Sequence, residues 1–274
     1  MNDILMQVRD LSYRYEDQTL ALDKVNLDIR RHERLAIMGS NGSGKSTLFL
    51  NLNGVYKPTS GQILYEGKPL DYSRKGLLQL RRNVGIVFQD PDNQLFCSSV
   101  AGEISFGLYN LGLEEEEIRT RVDQVCDRLS ITPFRTKPTH FLSGGQKKRG
   151  SIADILVLLI LDEPFSALDP KHARMIDDIL EQLAQEGITV VIATHNTDHA
   201  YRWADRVVLL NNAHILAQGS PEQIFSDHEL LSQANLETPQ MLRVRDVLAN
   251  QGMLPSDCFP KTPEQLAELL ARKR

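Results

Sequence analysis

Three short stretches of the chain hold residue types suited to phosphate chemistry. The first, "GSNGSGKST" at residues 39–47, has the spacing G-x-x-x-x-G-K-[ST]. Gly39, Gly42 and Gly44, with Asn41 among them, let backbone N–H groups turn inward on an anion. The helix expected to follow adds the positive end of its dipole. In that pattern Lys45 reaches the β- and γ-phosphates of a nucleotide, the Ser46 hydroxyl suits Mg²⁺, and Thr47 extends the contact. A chain of this length matches the spacing by chance in about 1 case in 100, so a plain glycine-rich turn is the weaker alternative.

The second stretch, "VLLILDEP", ends a buried-type strand in Asp162 and Glu163. Alone, such a pair reads equally well as surface carboxylates. Beside a phosphate loop, Asp162 fits as a partner of Mg²⁺, either directly or through a bound water, and Glu163 as the group that polarises an attacking water. The third stretch, "LSGGQ", places Ser143, Gly144, Gly145 and Gln146 at the expected start of a helix, another backbone cradle for an anion. Two phosphate sites so unlike each other in one chain need a reason.

The elements that must carry these residues can be read coarsely. The strand "RLAIMG" runs into the glycine loop and "STLFLNLNGV" continues as a helix. Short β-rich pieces occupy residues 4–37, and "GQILYEG" and "NVGIVFQD" are two further strands. Residues from about 98 to 156 are mainly helical, with Glu114–Glu117 favouring a helix N-terminus. The strands "VLLIL" and "ITVVIAT" flank a helix over roughly 170–186. Strands alternating with helices argue for an α/β fold with a parallel core sheet. Past Gly219, "SPEQIF" and "TPEQLAELL" each show a capping residue, then Pro, then Gln at the third position, which predicts a helical tail over 220–274.

Composition narrows the classes. At 274 residues and a net charge of −5, the chain has no overall nucleic-acid footprint. Cys97, Cys126 and Cys258 are scattered and lack CxxC spacing, which suits a reducing compartment and neither a disulfide framework nor a zinc site. The opening "MNDILMQVRD" has no long apolar stretch, so no signal peptide is expected. "ILVLLIL", the longest apolar run, is far too short to cross a bilayer.

With "GSNGSGKST", "FQDPDNQLF", "LSGGQ", "LILDEP", "SALD" and "ATHN" in this order, the chain resembles the nucleotide-binding subunits of ABC transporters over residues 1–219. The resemblance implies a P-loop NTPase core of the ABC type, a helical signature subdomain at about 90–156, and ATP with Mg²⁺ as ligands. It implies that Gln89 contacts Mg²⁺ and senses a membrane partner, that Asp169 is the D-loop aspartate at the nucleotide site, and that His195 is the switch histidine on the γ-phosphate. Tyr15 in "SYRY" resembles the aromatic that stacks on adenine, with Tyr13 as competitor and a core tyrosine as the plainer reading. It also supplies the reason for two cradles. Two subunits of this family face head-to-tail, each "LSGGQ" closing on its neighbour's nucleotide, so a homodimer would make two equal composite sites. Integral membrane subunits would touch the chain near Gln89–Phe96, placing it on the cytoplasmic face of the membrane.

"FQDPDNQLF" and "GKPLDYSRKGLLQLRR" narrow the resemblance to energy-coupling factor ATPases, the cobalt/nickel importer group in particular. A vitamin or other micronutrient is the alternative cargo. A soluble ABC ATPase acting on nucleic acid would carry long coiled-coil arms between Lys45 and Ser143, where no sustained heptads occur. A translation-type protein would carry two such domains, and a non-catalytic binding module is opposed by Glu163 and His195. His195 and His199 have the i,i+4 spacing of a helical metal pair, but His195 directly follows a strand, so they are expected not to share a helix. One departure stands out: the link from Arg149 to Leu161 is about four residues shorter than usual, where helix-to-strand links need about 2–6. An early end to the helix and a missing loop both fit.

Overall fold

The structure is a computed structural model that describes residues 3–89, 97–110, 112–143, 146–147 and 157–271. Two sheets form the frame. The first is antiparallel, in the order β2-β1-β4-β5, from β1 (Ile4–Arg14), β2 (Leu20–Arg30), β4 (Ser60–Tyr65) and β5 (Lys68–Pro69). The second has the order β10-β9-β3-β8-β7-β6. It comprises β3 (Arg34–Met38), β6 (Val84–Val87), β7 (Leu158–Asp162), β8 (Thr189–Ala193), β9 (Arg206–Asn211) and β10 (His214–Gly219). β3, β6, β7, β8 and β9 pair in parallel, and only β10 runs against them. The parallel core sheet expected from strand–helix alternation is present. The separate antiparallel sheet was not expected: β1 and β2 are two strands of 11 residues rather than several short pieces. Register shifts along their ladder hide the strict alternation by which a long strand is read from sequence.

The near-continuous apolar strands β3, β7, β8 and β9 bury both faces. Leu35, Ile37, Leu158, Ile160, Val191 and Val208 face the antiparallel sheet and α1 (Lys45–Leu52), which contributes Leu48, Phe49 and Leu52. Ala36, Met38, Leu159, Leu161, Val190 and Val207 face the other way, into a core shared with α5 (Pro170–Gln185). Before α5 lie α2 (Arg74–Asn83), α3 (Val100–Asn110) and α4 (Glu115–Arg128), the last N-capped by Glu114 as its glutamate run predicts. After it come α6 (Thr197–Trp203), α7 (Pro221–Phe225), α8 (His228–Gln233), α9 (Gln240–Asn250) and α10 (Pro263–Ala271).

The tail is helical, as its caps predict. Ser220 and Gln223 form a reciprocal capping box on α7, and Thr262 Oγ1 accepts from Gln265 N–H at the start of α10. Ile224, Phe225, Leu231, Ala234 and Leu242 belong to the main core, so the tail is packed on the domain. Asp198 on α6 accepts from the Gln240 N–H at 2.6 Å, which docks the first turn of α9. Cys97, Cys126 and Cys258 are all free thiols. Among the described residues no helix is long and apolar enough to cross a membrane. The short link after Arg149 falls largely on residues 148–156, outside the described residues.

Candidate nucleotide site

The strand order decides what meets at the site. β3, β8, β7 and β6 are neighbours in parallel, so the chain leaves all four at the same edge of the sheet. The segments that follow them carry, in spatial order, the glycine loop, His195, Asp162 with Glu163, and Gln89. The carboxyl edge of a parallel sheet is where ligands of open α/β folds bind. Four motifs scattered over the sequence are thereby made adjacent by sheet order.

The glycines are required by the backbone. Gly44, the N-cap of α1, has φ 108°, and a Cβ there would lie 2.4 Å from the Ala21 carbonyl oxygen on β2. A Cβ on Gly39, at φ 150°, would lie 2.0 Å from the Leu210 oxygen. The loop is therefore wedged between β2 and β9 in a shape that only glycine can take. Lys45 is buried, and its ammonium donates to the carbonyl oxygens of Gly39 at 2.8 Å and Ser40 at 3.0 Å. Burial pushes its pKa down, while Glu163 and Asp162 pull it back up. A buried cation resting on neutral carbonyls is placed to exchange them for phosphate oxygens.

The Ser46 hydroxyl donates to Asp162 Oδ2, joining the first turn of α1 to the end of β7. These are the two oxygen donors that a hard cation such as Mg²⁺ would need side by side, so the residues present fit that ion. Glu163 is buried and adopts a left-handed backbone conformation at φ 47°, unusual for a non-glycine residue. Its N–H is held by the Ala193 oxygen at 3.0 Å, which fixes the turn against the end of β8. His195 Nδ1–H donates to Glu163 Oε1 at 2.9 Å; the histidine side chain is 72% exposed and the glutamate side chain 11%. Gln89 Nε2 donates to Ser166 Oγ at 3.4 Å, on the far side of the glutamate turn.

Tyr15 closes the other end. Its hydroxyl lies 2.6 Å from Thr47 Oγ1, and it remains 36% exposed. Tyr13 instead stacks on Tyr56, with centroids 4.8 Å apart and planes at 9°. Both rings meet Tyr15 edge-on, at 5.3 and 6.1 Å. Of the two tyrosines considered from sequence, Tyr15 is the more exposed, and Tyr13 is half-buried. Tyr56 was missed, because an isolated tyrosine after a helix gives no signal until the sheet brings β1 to it.

Ser143 and Gln146 form a reciprocal pair. Ser143 N–H donates to Gln146 Oε1 at 3.1 Å and Gln146 N–H to Ser143 Oγ at 3.3 Å, and Lys147 N–H donates to the Ser143 oxygen at 2.9 Å. A helix begins here, as expected; Gly144, Gly145 and the segment 90–96 lie outside the described residues. Among the described residues, no hydrogen bond links Ser143 or Gln146 to the loop at 39–47. Asp169 N-caps α5, accepting from Lys171 and His172 N–H and pairing with the His172 ring at 2.6 Å. The His172 N–H and ring hold its carboxyl below the ordinary range. His195 and His199 part company, as expected: His195 precedes Asn196, the N-cap of α6, while His199 lies within the helix with its Nε2 on Asp177 at 2.9 Å.

The ABC transporter family profile matches residues 22–166. The chain is 47% identical over 253 residues to the energy-coupling factor transporter ATP-binding protein EcfA2 of Clostridium perfringens, covering 90% of this chain and 89% of the relative. It is 44% identical over 254 residues to EcfA of Methanococcus maripaludis, covering 91% of each. The structure of cbiO1 from Clostridium perfringens, described as part of the ABC transporter complex cbiONQ, superposes with a TM-score of 0.76 at 45% identity, over 90% of this chain and 100% of that one. The dimeric ATP-binding cassette MJ0796, bound to ADP and phosphate, matches with a TM-score of 0.71 at 28% identity, over 79% of this chain and 99% of its own.

Proposed function

The chain belongs to the ABC transporter family, and from that premise we propose that it is the ATP-hydrolysing subunit of an energy-coupling factor importer for cobalt or nickel ions. Its family binds ATP with Mg²⁺ and couples hydrolysis to transport. The observation that carries the site assignment is the pair of contacts Ser46–Asp162 and His195–Glu163 at one sheet edge. Mg²⁺, where Ser46, Asp162 and Gln89 would hold it, supplies the positive charge that neutralises the phosphates.

The chain's own residues do the rest. Lys45 leaves the Gly39 and Ser40 carbonyls for the phosphates. The inward-facing amides of the glycine loop, with Asn41 and Gly42 at its tip, fix them. Glu163 accepts a hydrogen bond from the attacking water and orients it, and His195, moving off the glutamate, donates to the γ-phosphate. Tyr15 offers its ring to the adenine while its hydroxyl keeps to Thr47.

Residues 1–219 form the ATPase domain on this reading, and 220–274 the helical extension. Ser143, Gly144, Gly145 and Gln146 serve the neighbour's nucleotide in a head-to-tail homodimer, with Asp169 near the shared boundary. The dimeric relative and the lack of any described bond from Ser143 to its own glycine loop support this arrangement. Membrane subunits contact the chain near Gln89–Phe96, from the cytoplasmic face. The choice of cobalt or nickel rests on the likeness of "FQDPDNQLF" and "GKPLDYSRKGLLQLRR" to that importer group. Another micronutrient is the competing cargo, because the named relatives are energy-coupling factor subunits.

The test is uptake of labelled cobalt and nickel by cells carrying the chain with its membrane subunits. Energy-dependent accumulation that is lost with Glu163→Gln supports the assignment; uptake of neither ion, with an intact complex, overturns the cargo. The purified chain alone is expected not to bind either ion stoichiometrically by calorimetry.

A further inference from the structure

His199 stands on the first turn of α6, four residues beyond His195, and its side chain is only 8% exposed. Its ring lies 4.2 Å from the Phe165 ring, tilted by 49°, and 5.8 Å from Trp203, nearly parallel at 23°. Phe165 follows Glu163 by two residues. One buried imidazole therefore touches the segment that carries Glu163 while standing on the helix that follows His195.

Packing alone would not call for histidine here. A leucine or phenylalanine would fill the space between Phe165 and Trp203 without the cost of burying polar nitrogens. What the imidazole adds is direction. Its Nε2–H donates to Asp177 Oδ1 on α5 at 2.9 Å, and Asp177 Oδ2 also takes the Arg202 guanidinium one turn further along α6. Asn196 caps the same turn by accepting the His199 N–H at 3.0 Å. Nδ1 has no hydrogen-bond partner among the described residues. Burial pushes the Asp177 carboxyl up, but the hydrogen bonds and charges of His199 and Arg202 outweigh it and hold the group below its ordinary value. The first turn of α6 is thus pinned to α5 at one point and to the turn after Glu163 at another.

We propose that His199, held by Asp177, is a positioning residue for hydrolysis that sets the switch histidine His195 in register with Glu163. It touches neither nucleotide nor metal, so its effect should fall on turnover and leave nucleotide binding alone. The proposal rests on the roles assigned above to Glu163 and His195.

The experiment measures steady-state ATPase kinetics and fluorescent-nucleotide affinity on the full chain with Mg²⁺. His199→Phe keeps a ring and loses the donor, and is expected to lower kcat about tenfold with KM within about twofold. His199→Gln restores a donor toward Asp177 and should return kcat to within about threefold of the parent. Asp177→Ala should match His199→Phe, and the double variant should be no worse than either. Unchanged kcat in His199→Phe, a KM that rises in step with the loss, or no rescue by Gln would overturn the proposal. Should His199→Phe fail to melt cooperatively, Asp177→Ala decides: a selective kcat loss supports the proposal and parent kinetics overturn it. Glu163→Gln is run alongside. If it hydrolyses ATP at the parent rate, the site assignment fails, whatever His199→Phe does.

Discussion

His195 Nδ1 and Glu163 Oε1 are 2.9 Å apart, so the exposed histidine and the buried carboxylate are joined directly. The glutamate is held by a left-handed turn that Ala193 fixes from β8, and the histidine by the strand end of β8 itself. The end of β8 thus holds both groups, Glu163 reaching it from the neighbouring strand β7. Glu163→Gln should keep ATP affinity, lose at least about 100-fold in turnover, and accumulate a nucleotide-bound dimer on sizing in MgATP. Hydrolysis near the parental rate would remove Glu163 from the chemistry.

The Ser46–Asp162 contact predicts a different phenotype one residue away. Asp162→Asn keeps shape and loses the charge a hard cation needs, so the Mg²⁺ concentration for half-maximal hydrolysis should rise about tenfold or more. ATP binding measured in EDTA should stay within about twofold of the parent. Equal losses in both assays would mean that Asp162 supports the loop rather than the ion.

Tyr15 offers a separable test of base recognition. Tyr15→Ala removes a stacking surface worth about 1–3 kcal/mol, so KM for ATP should rise about 5- to 150-fold with kcat little changed. Tyr15→Phe keeps the ring and loses only the contact with Thr47, and should stay within about fivefold. A KM insensitive to Tyr15→Ala would hand the role to another side chain.

The tail bears on stability before it bears on assembly. Phe225 is fully buried, 6.0 Å edge-on from Tyr201. Phe225→Ala should cost about 3–5 kcal/mol in chemical denaturation. A loss below about 1 kcal/mol would mean that the tail docks loosely. Cutting after Gly219 would open the same core, so dimer strength is better read after substitutions on exposed faces of α9, such as Val247→Glu. A sedimentation equilibrium unmoved by Val247→Glu would take that face out of the dimer contact.

Much of the site was legible because it consists of local patterns. The glycine loop, the Asp-Glu strand end and the capped start at Ser143 each follow from a few consecutive residues, and the structure places each on the expected element. The order in which they meet was not legible from residues alone. Gln89, Asp162 and His195 become neighbours only through the strand order β3-β8-β7-β6, a long-range property that no window of sequence contains. The antiparallel sheet escaped for a related reason, since register shifts blur the two-residue period of β1 and β2. His199 read as half of a metal pair or as nothing, because its partner Asp177 lies 22 positions away on another helix.

In the proposed head-to-tail homodimer, each ATP is completed by two copies of the chain. Lys45→Ala removes the phosphate-binding ammonium from one copy, and Ser143→Arg blocks the signature cradle of another. Each alone should be inactive. Mixed in equal amounts, they form heterodimers in which both defects share one site and the other site is intact. ATPase assay of the mixture is the most direct measurement. Activity is expected to return, at a substantial fraction of the parental rate. Heterodimers demonstrated by sizing or native mass spectrometry, with no activity above the single variants, would contradict it.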